Sequence, residues 1–125
     1  MAAILTNVGI AKVNNALNGG AHTPPQHVGW GTGTDAAAAA NTALQTPAAE
    51  ARVSGTKTLQ TVTVTDDTYQ VVATITSASG QTISEVGLFD ASTVGNMYIR
   101  GVFTGVPLAN GDSIQFTIKN TIAQP

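Results

Sequence analysis

The chain contains no cysteine. Disulfides and thiolate metal sites are therefore excluded, while the redox compartment is left open. Charge is the next scarcity. Lys, Arg, Asp and Glu make up 10% of the 125 residues, against about 25% in an average soluble domain. The five basic residues, Lys12, Arg52, Lys57, Arg100 and Lys119, stand singly, and the net charge is −2. A groove that tracks phosphates needs clustered cations, so no nucleic-acid partner is expected. Long apolar runs are missing too. Outside the alanine tract at 36–40 they extend only a few residues, and no segment is expected to span a bilayer. The opening Met1-Ala2-Ala3-Ile4-Leu5 has neither a basic n-region nor a long h-region, and predicts no signal peptide. No residues recur at a fixed period, so a solenoid is not implied.

Thr, Ala, Gly, Asn and Val fill the space that charge leaves. A surface of Thr, Asn and small residues lacks the charge that keeps a free monomer apart from its neighbours, and suits contact with other protein surfaces. The length fits one domain. A chain of this size buries roughly two-thirds of its unfolded surface, enough for a core without staples.

Two regions differ in character. Residues 1–49 are rich in Ala, Asn, Gly and Pro, and read as a helix and an extended arm that pack on the domain. Residues 50–125 are rich in Thr, Val and Ile, and read as an antiparallel β-domain; together they form one globular unit. In the first region Leu5, Val8, Val13, Ala16 and Leu17 follow a helical spacing. Thr6 is the candidate N-cap and Gly19-Gly20 the stop, which predicts a helix over 6–18. The segment 21–26 with Pro24 and Pro25 must be extended. The segment 27–33 reads as a short strand entering a Gly-rich loop. Thr34 or Asp35 is expected to cap a short, marginal helix over 36–40.

Six strands are predicted in the second region, over 50–56, 58–65, 68–77, 81–89, 96–104 and 112–122. The second and third form a tight hairpin turning near Asp66-Asp67, and Pro107 falls in a longer loop at 105–111. Six short strands at near-even spacing predict an all-β fold, an antiparallel sandwich or barrel with an N-terminal helix and loop segment. In Ile83-Ser84-Glu85-Val86-Gly87-Leu88 the apolar alternation slips. An inserted residue with Gly87 at the slip, using a positive φ, would be a β-bulge.

No constellation for catalysis stands out. His22 and His27, with Asp35, match no metal-ligand spacing. Gly29-Trp30-Gly31-Thr32-Gly33-Thr34-Asp35 lacks the third glycine of a dinucleotide fingerprint and the Gly-Lys-Ser/Thr end of a phosphate loop. It reads as a loop needing tight backbone packing around Trp30. Asp66-Asp67 reads as a turn former. Glu85 and Asp90 bracket one strand and point to different faces, and the serines at 54, 77, 79, 84, 92 and 113 have no nucleophile-elbow context. Arg100 either pairs with Glu85 across strands or reaches a partner. The chain is expected not to be an enzyme, with no catalytic, cofactor or metal residues.

Three segments together resemble a known group. They are Ile83-Ser84-Glu85-Val86-Gly87-Leu88-Phe89-Asp90-Ala91, then Asn96-Met97-Tyr98-Ile99-Arg100-Gly101-Val102-Phe103, then Gly111-Asp112-Ser113-Ile114. With Gly29-Trp30-Gly31-Thr32-Gly33 and Thr42-Ala43-Leu44 upstream, the pattern is similar to one in structural proteins of tailed bacteriophages. The resemblance covers most of 28–122 and implies a virion protein. Such modules occur as capsid decoration proteins and as tail- or fibre-associated proteins. The expected role is a capsid decoration (cement) protein on the capsid surface, a homotrimer bridging subunits of the major capsid protein. The alternative is a tail, baseplate or fibre-attachment protein bound to a tail protein. A carbohydrate-binding module using Trp30 and Tyr98 is a third class.

Overall fold

A computed structural model describes residues 2–123; Met1, which opens the segment read for a signal peptide, and the last two residues of the predicted β-domain lie outside them. Nine elements follow in order. They are β1 (Ala2–Leu5), α1 (Asn7–Leu17), β2 (His27–Gly31), β3 (Val53–Ser54), β4 (Thr56–Gln60), β5 (Thr68–Thr76), β6 (Gln81–Phe89), β7 (Met97–Leu108) and β8 (Ser113–Thr121). All strand pairs are antiparallel. They build a five-stranded sheet, β1-β7-β6-β2-β3, and a three-stranded sheet, β4-β5-β8. One apolar cluster joins the two. Val28, Trp30, Ile83, Val86 and Leu88 from the larger sheet meet Val71, Ile75, Phe116 and Ile118 from the smaller. The expected antiparallel sandwich is therefore the fold.

The sheet alternation follows burial. In β5 the residues Val71, Ala73 and Ile75 point inward while Gln70, Val72 and Thr74 lie on the other face. In β6 every residue from Ile83 to Phe89 is buried, because this central strand is covered on both faces. Ile83, Val86 and Leu88 enter the core between the sheets. Phe89 joins Leu44 and Met97 in a second cluster on the opposite face.

The slip seen in the sequence is a real register break, but its cause differs from the expected one. Between Ile83 and Glu85 on β6, the partner β7 runs from Val106 to Val102. The extra residues thus lie on β7. Gly87 is outside this break and is not among the positive-φ residues. Glycine is required there for space, since a Cβ would stand 2.8 Å from the Phe89 ring and 3.0 Å from Leu44 Cδ2.

The helix is placed as predicted. Thr6 caps it, its Oγ1 accepting the Gly9 N–H at 3.0 Å and donating to the Met97 carbonyl at 2.6 Å. Gly19, at φ 79°, follows the C-terminal cap. Several expectations fail. The helix over 36–40 is absent: five alanines bury little area, and Asn41 instead accepts the Ala38 N–H on its Oδ1. The predicted strand 50–56 is only the two-residue β3, and 58–65 shortens to β4. The Asp66-Asp67 connection is not a tight hairpin, because Gln60 pairs Thr68 and residues 61–67 form a loop. Strand β7 runs to Leu108 and takes in Pro107. Pro107 is tolerated because β1 pairs only with Ile99–Val102, leaving this part of β7 at the sheet edge. The strand β1, paired with β7, was not read from the sequence.

Candidate functional site

The candidate residues divide between a covered face and an open end. The covered face lies over the five-stranded sheet, where the loop at 32–52 packs. Its centre is an ion pair between Arg100 and Glu85, both essentially without solvent exposure. Arg100 Nη2 donates to Glu85 Oε2 at 2.7 Å and Nε at 3.2 Å. The register places them diagonally, with Glu85 opposite Val102 and Gly87 opposite Arg100. The pair also anchors the loop. Glu85 accepts the backbone N–H groups of Gln45 and Thr46, and Arg100 Nη1 donates to Asn41 Oδ1 at 3.0 Å. Ser84 Oγ donates to the Gly33 carbonyl at 2.7 Å. Each Glu85 oxygen is thus occupied by structural donors, and the cross-strand alternative for Arg100 is the one observed.

The Gly-x-Gly segment has its reason here. A Cβ on Gly31 or Gly33 would stand 2.5 Å from a Glu85 carboxylate oxygen. The tight backbone packing is therefore against Glu85 rather than around Trp30. Trp30 lies in the core in a T-shaped pair with Phe116, and its Nε1 donates to Glu50 Oε1 at 2.9 Å. Trp30 is 1% exposed and Tyr98 6%, so neither offers a free ring to stack on a sugar.

Glu50 and Arg52 carry structure that the sequence reading missed. Glu50 accepts the Ala78 N–H and a bond from Gln81 Nε2. The Ala78 bond above all, then those from Gln81 and Trp30, hold its carboxyl down to about 2 against the opposing effect of burial. Arg52 lies over the Phe89 ring at 3.4 Å from the centroid and donates to the Ala91 and Val94 carbonyls. Burial lowers its pKa, with Asp90 opposing. Neither residue sits in a recognisable motif; each depends on partners about thirty to forty positions away.

The other candidates are not brought together. His22 Nδ1 lies 3.2 Å from the Gly20 carbonyl, the acceptor of that pair, His27 opens β2, and Asp35 lies in the loop beyond the far end of β2. Among the described residues, no three His, Cys, Asp or Glu side chains are grouped as metal ligands. Asp67 is a turn former of unusual reach. Its carboxylate accepts the N–H groups of Val62, Thr63 and Val64 and the Thr68 hydroxyl. The Val64, Val62 and Thr63 N–H groups hold its pKa far below the usual carboxylate range. Asp90 accepts the Asn96 N–H in the β6–β7 turn, away from Glu85.

At the open end a groove of about 510 Å³ lies between α1, the extended segment 22–25 and Leu59 of β4 with Tyr69 of β5. Tyr98 and Ile99 lie at its base, while Leu17, Leu59 and Ile122 line it and remain largely exposed. Tyr69 ties the Pro segment to the sheet, its hydroxyl donating to the Pro25 carbonyl at 2.6 Å, and burial raises its pKa. Lys12 and His22 are the basic side chains of this lining, beside the phenols of Tyr69 and Tyr98. Exposed Val62 and Val64 stand on the adjoining loop, and Val64 shares a smaller hollow with Ile122. The groove has the form of a contact surface, with no cluster of acid, base and nucleophile in it. No helix among the described residues is long and apolar enough to cross a membrane.

No curated protein and no solved structure matches the chain. Residues 4–124 match the family described as Podophage GP4 fiber I protein gp80. The match takes in the β6–β7–β8 region that carries the phage-like pattern, the loop anchored on Glu85, and both walls of the groove. The chain therefore belongs to the podophage GP4 fiber I protein gp80 family, a family of tailed-phage virion structural proteins.

Proposed function

We propose that the protein is a non-enzymatic structural component of a phage fibre, which works by making broad protein–protein contacts within the virion. The observation that carries this reading is the family match, which spans nearly the whole chain. It favours the tail and fibre position over the capsid-cement position that the sequence pattern first suggested. The physical features are in accord. The few charged groups of the covered face are engaged in structural bonds, and the groove at the open end is apolar and holds no acid–base pair. A low-charge sandwich with an exposed apolar end suits a part held in place by neighbours, as a homo-oligomer with a trimer favoured.

Antibody-gold labelling of purified particles tests the position. Labels are expected on fibres at the tail, at a copy number well below that of the major capsid protein. Label spread over the capsid at near-stoichiometric abundance would return the decoration reading to first place. Soluble fragments of host glycans should not bind through Trp30, because its ring is enclosed.

A further inference from the structure

The open end holds two apolar surfaces side by side. One is the groove. The other is the loop at 61–67, with Val62 and Val64 exposed on it. We propose that this end is the contact between copies of this chain, with the 61–67 loop of one copy seated in the groove of another. The inference rests on the fibre reading only for the presence of neighbouring copies.

Charge favours this occupant. Asp66 is exposed on the loop at a φ of 61°, and Asp67 lies beside it. The groove is lined by Lys12 and His22 and carries no acid. An acidic, valine-bearing loop thus meets an apolar cleft with Lys12 on its rim, and both halves belong to one chain. The clustering of exposed apolar side chains favours it too. Leu17, Leu59, Val62, Val64 and Ile122 are five of the eight large apolar residues left exposed among the described residues. They gather at one end instead of scattering.

The loop is also prepared for docking. Three of its N–H groups are tied to the Asp67 carboxylate, so little conformational freedom is left to lose on association. Loop into groove is a contact between two different surfaces. It is made twice across a two-fold axis, or it closes a ring when the rotation allows.

Sedimentation of the full chain over a range of concentrations tests this. The wild-type chain is expected to associate into a closed oligomer. Val64→Asp should weaken association by at least about tenfold, because it buries an unpaired acid in the groove, while the circular dichroism spectrum and melting temperature stay unchanged. Asp66→Lys should weaken association by about two- to fivefold, and adding Lys12→Glu should restore it. A wild-type chain that stays monomeric at about 100 μM overturns the proposal, since that lies outside even weak specific association. So does a folded Val64→Asp variant that associates like wild type. If Val64→Asp does not fold, the Asp66→Lys and Lys12→Glu pair gives the same reading. Labelling of particles can fail while association in solution holds, and the reverse, so the two proposals are separable.

Discussion

The covered face and the open end of this sandwich are built from similar residues and treat them in opposite ways. On the covered face, charge is inside: Arg100, Glu85 and Asn41 bind a loop down over the sheet. At the open end, apolar side chains are outside: Leu17 and Ile122 are 82% and 71% exposed. A protein with so few charges could have used them to keep its surface soluble. It uses two of its five cations, Arg100 and Arg52, to pin backbone instead. The difference separates a region whose polar groups are satisfied within one chain from a region whose apolar side chains are left uncovered by it.

The strongest way to break that comparison is at the ion pair. Arg100→Ala should cost about 3–5 kcal/mol in urea unfolding, because it leaves Glu85 buried without its partner. A cost near zero would mean that the covered face is looser than its bonds imply. Replacing both members with apolar residues, Arg100→Met with Glu85→Leu, should recover much of the loss, since desolvation of the pair cancels much of its attraction. Gly87→Val comes next, at about 1–3 kcal/mol from overpacking against Phe89, Leu44 and Met97.

Acid should act on the sandwich through Glu50, which ties Trp30 to the β5–β6 turn. Its carboxyl lies at about 2 when folded, against 4.5 for the free group. The folded state therefore binds fewer protons than the unfolded chain between those values. The contribution is fully present above about pH 4.5 and is lost as pH falls toward 2. A Glu50→Gln variant should show a flatter melting temperature across that window than wild type; parallel curves would remove Glu50 from the account. The smallest effect belongs to the open end. Leu17→Ser should change the unfolding free energy of dilute protein by no more than about 0.5 kcal/mol, as expected for an exposed position. A large loss there would show that the groove wall supports the fold itself.

Much of this architecture was legible in the sequence where the signal is local. Thr6 and Gly19 punctuate a helix within one turn of its ends. Strands β5 and β8 alternate cleanly because one face of each is wet. The slip at Ile83–Val86 was visible as a broken period, but its cause was not, since the extra residues sit on β7 and reveal themselves only by pairing. Strand β1 was missed because Ala2–Leu5 is too short to show a period and is defined by its partner. The alanine tract misled for a related reason. Its propensity is helical, yet the long-range bonds of Asn41 and Arg100 hold it as a loop. The Glu85–Arg100 pairing was readable from cross-strand spacing. Glu50, Arg52 and the groove were not, because each is assembled from segments far apart in the chain.

One pairing has a consequence for how the chain is made. Thr6 is bonded to the carbonyl of Met97, 91 residues later. At a synthesis rate of about 5–20 residues per second, the first strand waits roughly 5–20 s for its partner to exist. During that interval Ile4 and Leu5 leave the ribosome as an unpaired apolar edge, with Lys12 the nearest charge in the sequence. Of the strand pairs described, β1 with β7 thus spans the longest stretch of chain, and β1 waits longest as an open edge for its partner.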